Sequence, residues 1–357
     1  MSGEQQLDPY PDQYTRFPFF VWLNDFGTIQ GWLDQTTFQR HVGDVNGDGL
    51  NDIVGIGTGG VRVSFGEETP LFNFKRSQLV STAFHAGDGF TTALADIDND
   101  GRADLIGFGP GGVSVAFGQA DGTFSDRTRA LADFGPQQGW TSRDETLRLV
   151  GDFNGDGKAD IIGFGYAGAL VALGRGSGTF KAPVLGIADF GIDQGWVSDN
   201  VYHREVADVN SDGYDDIIGF GDPGVLVALS NGDGTFAPIT LALDDFNLGH
   251  GWTSQDEYPR LVTDVNSDGF ADIVGFGADH LIIAFGQSDG SFSDVQVDAP
   301  QATAAQGWTS QDHMPRTFAA FDLHDTGLNG MPHLFGFGAE GVYIAAHNSL
   351  DPYVGIG

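Results

Sequence analysis

Short apolar runs that end in glycine recur along this chain. Each follows a polar loop with a carboxylate or amide at every other position. The text DVNSDGYDDIIGFG, from Asp208 to Gly221, returns as DVNGDGLNDIVGIG from Asp44, DIDNDGRADLIGFG from Asp96, DFNGDGKADIIGFG from Asp152 and DVNSDGFADIVGFG from Asp264. A sixth, degraded copy ends in HLFGFG at Gly338. Self-similarity at a fixed period is the signature of a repeat architecture. Trp140, Trp196, Trp252 and Trp308 stand 56 residues apart. Trp32 and Phe84, 52 apart, fit the same position in the first two copies, with the shortfall expected near Gly66, where GEETPLF replaces GRGSGTF or NGDGTF.

Each unit reads as four strands. RLVGD, ending at Asp152, is the first and ADIIGFG the second. GVLVALS from Gly224, with alternating apolar positions, is the third, and FAPITLALDDF from Phe236 the fourth. Four strands per repeat around an axis is the grammar of a propeller blade. The last copy stops after its third strand, GVYIAAH from Gly341, while the chain opens on an orphan fourth strand, FPFFVWLNDFG from Phe17. Pairing the two hides both edges. The expected fold is all-β: a six-bladed β-propeller of four-stranded antiparallel blades, closed by the N-terminal strand on the C-terminal blade. It spans residues 17–348, with tails at 1–16 and 349–357.

Composition narrows the partners. The 357 residues include 55 glycines and 29 phenylalanines, and 49 acids against 16 bases leave a net charge of -33. That charge repels nucleic acid and anionic membranes. The chain has no cysteine, so disulfides and thiolate chemistry are excluded. Residues 1–16 lack an apolar signal-peptide core, and no apolar run reaches spanning length, so a cytoplasmic protein or one released by a non-signal route is expected.

The acidic loops follow D-x-[DN]-x-D-G-x-x-D. The candidate metal ligands are Asp44, Asn46, Asp48 and Asp52; Asp96, Asp98, Asp100 and Asp104; Asp152, Asn154, Asp156 and Asp160; Asp208, Asn210, Asp212 and Asp216; Asp264, Asn266, Asp268 and Asp272. Hard oxygens at alternate positions, with a glycine at the sharp turn, suit structural Ca²⁺. An EF-hand would need a bidentate Glu at position 12 and a following helix; here position 12 is Gly and a strand follows. The metal-free reading is a set of Asx-turns closing a tight hairpin. The sixth loop, with His324 and Thr326, is expected to hold no metal.

A second constellation, G-W-x7-R, gives Trp32/Arg40, Trp140/Arg148, Trp196/Arg204, Trp252/Arg260 and Trp308/Arg316, with Phe84 and Thr92 in the second copy. An aromatic plate beside a guanidinium suits sugar recognition, with Asp144, Asp256 and Asp312 as acceptors and Asp199 close by. The structural reading is a Trp wedged between blades and an Arg capping a strand. No G-x-S-x-G, H-E-x-x-H or phosphate loop is present, and the nine His share no repeat position. No enzyme is therefore expected.

Together, DFG-x-x-QGW, the Arg before the first strand, the acidic loop with its GFG, G-V-x-V-A-L and N-G-D-G-T-F resemble the repeats of the Psathyrella velutina lectin family, fungal integrin-like FG-GAP propeller lectins. The resemblance covers roughly residues 17–348. It implies a multivalent, non-enzymatic lectin that binds N-acetylglucosamine-type sugars, on glycans or glycoconjugates, in pockets between blades, with calcium in some loops. By position it places those pockets at the Trp/Arg pairs and at turns such as 166–168 and 222–224. The competing reading is an integrin-like protein-interaction propeller; a propeller enzyme would need one odd copy with unique acids or histidines.

Overall fold

The computed structural model describes residues 20–67, 73–298, 302–321 and 331–345. Six four-stranded antiparallel sheets are arranged as blades. In blade 4 the strands run in sequence order: Arg204–Ala207, Asp216–Gly221, Gly224–Ala228 and Thr240–Leu243. The sixth sheet closes the ring. Its outer strand is Phe20–Leu23, paired with Val342–Ala345, as the orphan-strand argument requires. The acidic segment of the sixth copy, 322–330, and both expected tails lie outside the described residues.

The first strands begin at Arg40, Thr91, Arg148, Arg204, Arg260 and Arg316, and each touches the next around a closed circle. They line the axis. Loops between strands 1 and 2 share one face with the turns between strands 3 and 4. Turns between strands 2 and 3 share the other face with the blade-to-blade connections.

The core is six seams. Each of six apolar clusters combines residues of two neighbouring blades: Phe164, Val171 and Phe190 meet Ile217 and Ala228 across one, and Phe220, Val225 and Phe246 meet Ile273 and Ala284 across the next. Second strands are wholly buried because both faces meet a neighbour, while fourth strands lie at the rim. The glycine at loop position 12 has its reason here. A Cβ on Gly55, Gly163, Gly219 or Gly275 would fall 2.2–2.4 Å from the Cη2 of the tryptophan lying on it.

The repeat register in the second copy differs from expectation. Phe90, not Phe84, occupies the tryptophan slot. A Cβ on Gly109 would meet Phe90, as one on Gly57 would meet Trp32. Phe84 takes the place of Phe26, Phe134, Phe190 and Phe246, and its turn keeps their hydrogen bonds, Ala86 N–H to Gly57 O matching Ile192 N–H to Gly165 O. Blade 2 therefore lacks six of the seven residues that elsewhere separate the tryptophan from the strand 1 arginine. Near Gly66 blade 1 is two residues longer than later copies, not shorter, and forms a small hairpin, Gly66–Glu67 with Asn73–Phe74.

The seam packing sets a test. Trp252→Ala should destabilise the protein by about 3–5 kcal/mol, as for a large aromatic removed from a core. Gly275→Ala should cost about 1–3 kcal/mol by overfilling the same contact. Urea unfolding of the variants measures both, and near-wild-type midpoints would refute the seam as the source of stability.

Candidate functional site

The five tryptophans are 4–7% exposed; four are tilted against a buried phenylalanine, such as Phe26 (4.9 Å between ring centres from Trp32) or Phe246 (5.0 Å from Trp252), and Trp308 meets the Tyr343 ring edge-on at 5.6 Å. Their faces are covered, so they are not the sugar plates that their spacing implied. The arginines are also committed. Arg40, Arg204, Arg260 and Arg316 are 0–3% exposed, and Arg148 is half-buried.

Each Nη1 donates to the carbonyl of the residue that opens the connection: Phe26 (3.3 Å), Phe134 (3.0 Å), Phe190 (3.1 Å), Phe246 (3.0 Å) and Ala302 (2.9 Å). Those five residues hold φ between 48° and 60°, unusual for non-glycine residues. In the four phenylalanine copies the preceding aspartate accepts the phenylalanine N–H, at 2.7 Å for Asp25. Burial pushes Arg40, Arg148 and Arg260 down to about 10 and Arg316 to about 9, so all remain charged at neutral pH.

Each guanidinium also lies over the GFG phenylalanine of the preceding blade: Arg40 over Phe337, Arg148 over Phe108, Arg204 over Phe164, Arg260 over Phe220 and Arg316 over Phe276, at 4.9–5.6 Å. Such contacts are cation–π pairs. The exception carries the argument. Blade 2 has Thr92 where the arginine would be, and blade 1 has Ile56 where the phenylalanine would be. Phe84 also lacks the positive φ of its counterparts. Arginine, phenylalanine and strained backbone disappear together, so their shared task is to join blades.

The aspartates expected as sugar acceptors form a belt instead. Asp144 Oδ1 accepts from Asn200 N–H (2.8 Å) and Ser198 Oγ (3.0 Å) of the next loop. Asn200 does the same for Ser254 and Asp256, Asp256 for Ser310 and Asp312, and Asp312 for Gln35 and Thr36. The belt runs from blade 3 through blade 6 to blade 1 and stops at blade 2, whose loop is missing.

Asp199 sits elsewhere. Its Oδ1 accepts Arg204 N–H (3.1 Å), and its Oδ2 pairs with His203 Nδ1 at 3.0 Å. Glu205 Oε1 holds the other ring nitrogen at 2.8 Å. Burial opposes the charge on His203, but the two carboxylates outweigh it and push its pKa up to about 9.

In the acidic loops the first aspartate closes the turn. Asp44 Oδ1 accepts Gly47 N–H (2.7 Å) and Oδ2 accepts Gly49 N–H (2.8 Å). The ninth-position aspartate is a buried pin: Asp216 takes Val209 N–H (3.1 Å) and Ser230 N–H (2.7 Å), with like bonds at Asp52, Asp104, Asp160 and Asp272. Burial, partly offset by those N–H donors, pushes all five up to about 7. In blade 2, Asp96, Asp98 and Asp104 bring three carboxylate oxygens within 4.8 Å of one another, and Asp98 Oδ1 is buried with no partner. Where the third position is Asn46, Asn210 or Asn266, its amide instead donates to the fifth-position aspartate.

Residues not singled out by spacing lie beside the buried pairs. Six positions after the tryptophan come half-buried Phe38, Tyr202 and Tyr258. The Tyr202 ring meets the edge of Trp196 at 6.3 Å. Burial first, and then the Asp222 carboxylate of the neighbouring turn, near its hydroxyl, push the phenol pKa up. The signal was an aromatic at a fixed offset in three copies.

The fold and the repeated loop define an FG-GAP β-propeller: the FG-GAP-like repeat family matches residues 44–107, 96–162 and 152–218. A solved lectin of Agrocybe aegerita, described for its specific recognition of non-reducing terminal N-acetylglucosamine, is 32% identical, with a TM-score of 0.74 over 92% of this chain and 82% of that one. This chain belongs to that family of fungal FG-GAP lectins. A part of the Photorhabdus luminescens Tc holotoxin, 15% identical, shares the fold alone, with a TM-score of 0.61 over 91% of this chain and 14% of that one. No curated protein matches the sequence. No described helix is long and apolar enough to cross a membrane.

The raised pKa of His203 gives stability that is complete below 6.5, its ordinary value, and lost as pH rises through about 9. Denaturation at pH 6 and pH 9.5 should show a larger loss in the wild type than in His203→Gln, the difference being the His203 contribution, because the buried aspartates that titrate near 7 lower the stability of both alike. Equal pH dependence in both would overturn the assignment.

Proposed function

We propose that this protein is a carbohydrate-binding lectin without enzymatic activity, and that it takes terminal N-acetylglucosamine in the seams on the face carrying the connections and the strand 2–3 turns. The observation that carries this reading is the 32% identity to a lectin described as recognising that sugar, over nearly the whole propeller. The buried Trp/Arg pairs are then the foundation of each seam rather than its contacts. At blade 4 the groups available to a sugar are the half-buried Tyr202 ring and the Asp222 carboxylate, an apolar face beside an acceptor.

A shallow monosaccharide site gives affinity of about 1 mM, or ~-4 kcal/mol. Several seams engaging one glycan-coated surface would raise it. Titration with N-acetylglucosamine should saturate in that range, and Tyr202→Ala and Asp222→Ala should each remove the blade 4 contribution, Asp222→Ala without lowering the melting temperature. Silence across a panel of N-acetylglucosamine-terminated glycans would refute the reading.

We further propose Ca²⁺ in the acidic loops, with the blade 2 loop the best fitted. Its three converging carboxylates and the unpartnered Asp98 Oδ1 match a hard divalent cation. The ion would supply positive charge that ties strand 1 to strand 2. Calcium at 100 times its Kd should stabilise the fold by about 2.7 kcal/mol per site. A melting temperature unchanged between calcium and EDTA would rule this out.

A further inference from the structure

The end of the belt leaves a receptor without its occupant. At four junctions the incoming loop presents the same donors to the loop before it. One N–H takes a backbone carbonyl: Asp199 to Asp144, Gln255 to Asn200, Gln311 to Asp256 and Gln35 to Asp312, each at 2.6 Å. The next N–H and a Ser or Thr hydroxyl take the Oδ1 of that same aspartate or asparagine, at 2.8–3.1 Å. Every occupant is an Asp or Asn residue held by its side-chain oxygen and its own carbonyl.

Blade 3 carries the same loop, Ser142–Arg143–Asp144, in the same conformation. Thr146 N–H reaches Ser142 O (3.1 Å) and Glu145 N–H reaches Ser142 Oγ (3.1 Å), as Tyr258 and Glu257 reach Ser254 in blade 5 (2.9 and 3.2 Å). The preceding loop, which would fill it, is the six-residue segment that blade 2 lacks. Among the described residues, the Arg143 and Asp144 N–H groups and the Ser142 hydroxyl have no acceptor.

Two further observations mark the place. Arg148 is half-exposed where its counterparts are sealed, and its Nε is buried without a partner. In blades 1, 5 and 6 a glutamine accepts from that nitrogen at 3.1–3.2 Å, and here Arg143 stands in the glutamine position. Arg143 interacts electrostatically with His41, Asp199 and Asp312, on blades 1, 4 and 6, so its guanidinium lies close to the axis. The free donors thus belong to a loop that carries Arg143 and leads into Arg148, two cations in a molecule of net charge -33.

We propose that the notch above blade 2 binds an acidic segment of another polypeptide, which inserts an aspartate or asparagine into the vacant blade 3 receptor. The four filled junctions define the required chemistry, a carboxylate or carboxamide oxygen together with the carbonyl of the same residue. Donors already fixed in position cost little further ordering on binding.

The test uses the chain's own occupant. The pentapeptide Ser-Gln-Asp-Glu-Tyr, capped at both ends, copies 254–258, whose Asp256 fills the blade 6 receptor. Titrated into the full-length protein, it should bind saturably and shift the amide resonances of Arg143 and Asp144. The peptide with Ala in place of Asp should bind about tenfold more weakly, as for a lost charge-assisted hydrogen bond. Ser142→Ala should weaken binding at an unchanged melting temperature. No saturable binding, equal binding of the Ala peptide, or the same shifts from acetate alone would each overturn the proposal.

Discussion

The ring depends on how one blade grips the next. At five of the six seams an arginine spans the gap, bonding the carbonyl of a left-handed residue on its own connection and lying over a phenylalanine of the blade behind. A charge held this way is expensive to bury unless its donors are satisfied. The seam meets most of that demand with backbone carbonyls, and in blades 1, 5 and 6 with a glutamine at Nε, while Arg148 Nε, Arg204 Nε and Arg316 Nη2 stay without a hydrogen bond. The glycine of strand 2 completes the grip by letting the indole lie against the sheet. Each part makes sense only with the others, and blade 2 shows it by losing arginine, phenylalanine partner and strained residue at once.

Much of the fold was legible because its signals are local and repeated. The alternating third strands, the Gly-ended second strands and the orphan fourth strand at Phe17 each carry their own pattern, and six copies reinforce it. The register of the second copy was not legible. Phe84 stands 56 residues before Trp140, and equal spacing concealed two opposite changes, two residues gained in blade 1 and six lost in blade 2. Only the contacts of Phe84 and Phe90 with the strand 2 glycines separate them.

The Trp/Arg pairs were found at the right place and given the wrong exposure. Spacing places a side chain at a junction, but it does not say whether the junction opens to solvent. The aspartates at the same loops illustrate the same limit: a carboxylate that reads as a free acceptor in Asp144 or Asp256 is already satisfied by the N–H groups of the next blade.

A consequence for recognition follows from where repetition stops. Buried positions repeat because each seam must solve the same packing problem. The exposed first residue of the strand 2–3 turn does not: it is Thr58, Pro110, Tyr166, Asp222, Ala278 and Ala339 around the ring. Six positions after the tryptophan the ring of residues reads Phe38, Thr146, Tyr202, Tyr258 and Met314, with no counterpart in blade 2. A common frame thus presents chemically different edges. Blade 4 sets a tyrosine hydroxyl near a turn carboxylate, and blade 3 meets a neighbour without a loop. Equal spacing around the axis therefore does not make the seams equal, and any ligand that needs both an aromatic face and an acceptor will find fewer sites than the repeat count.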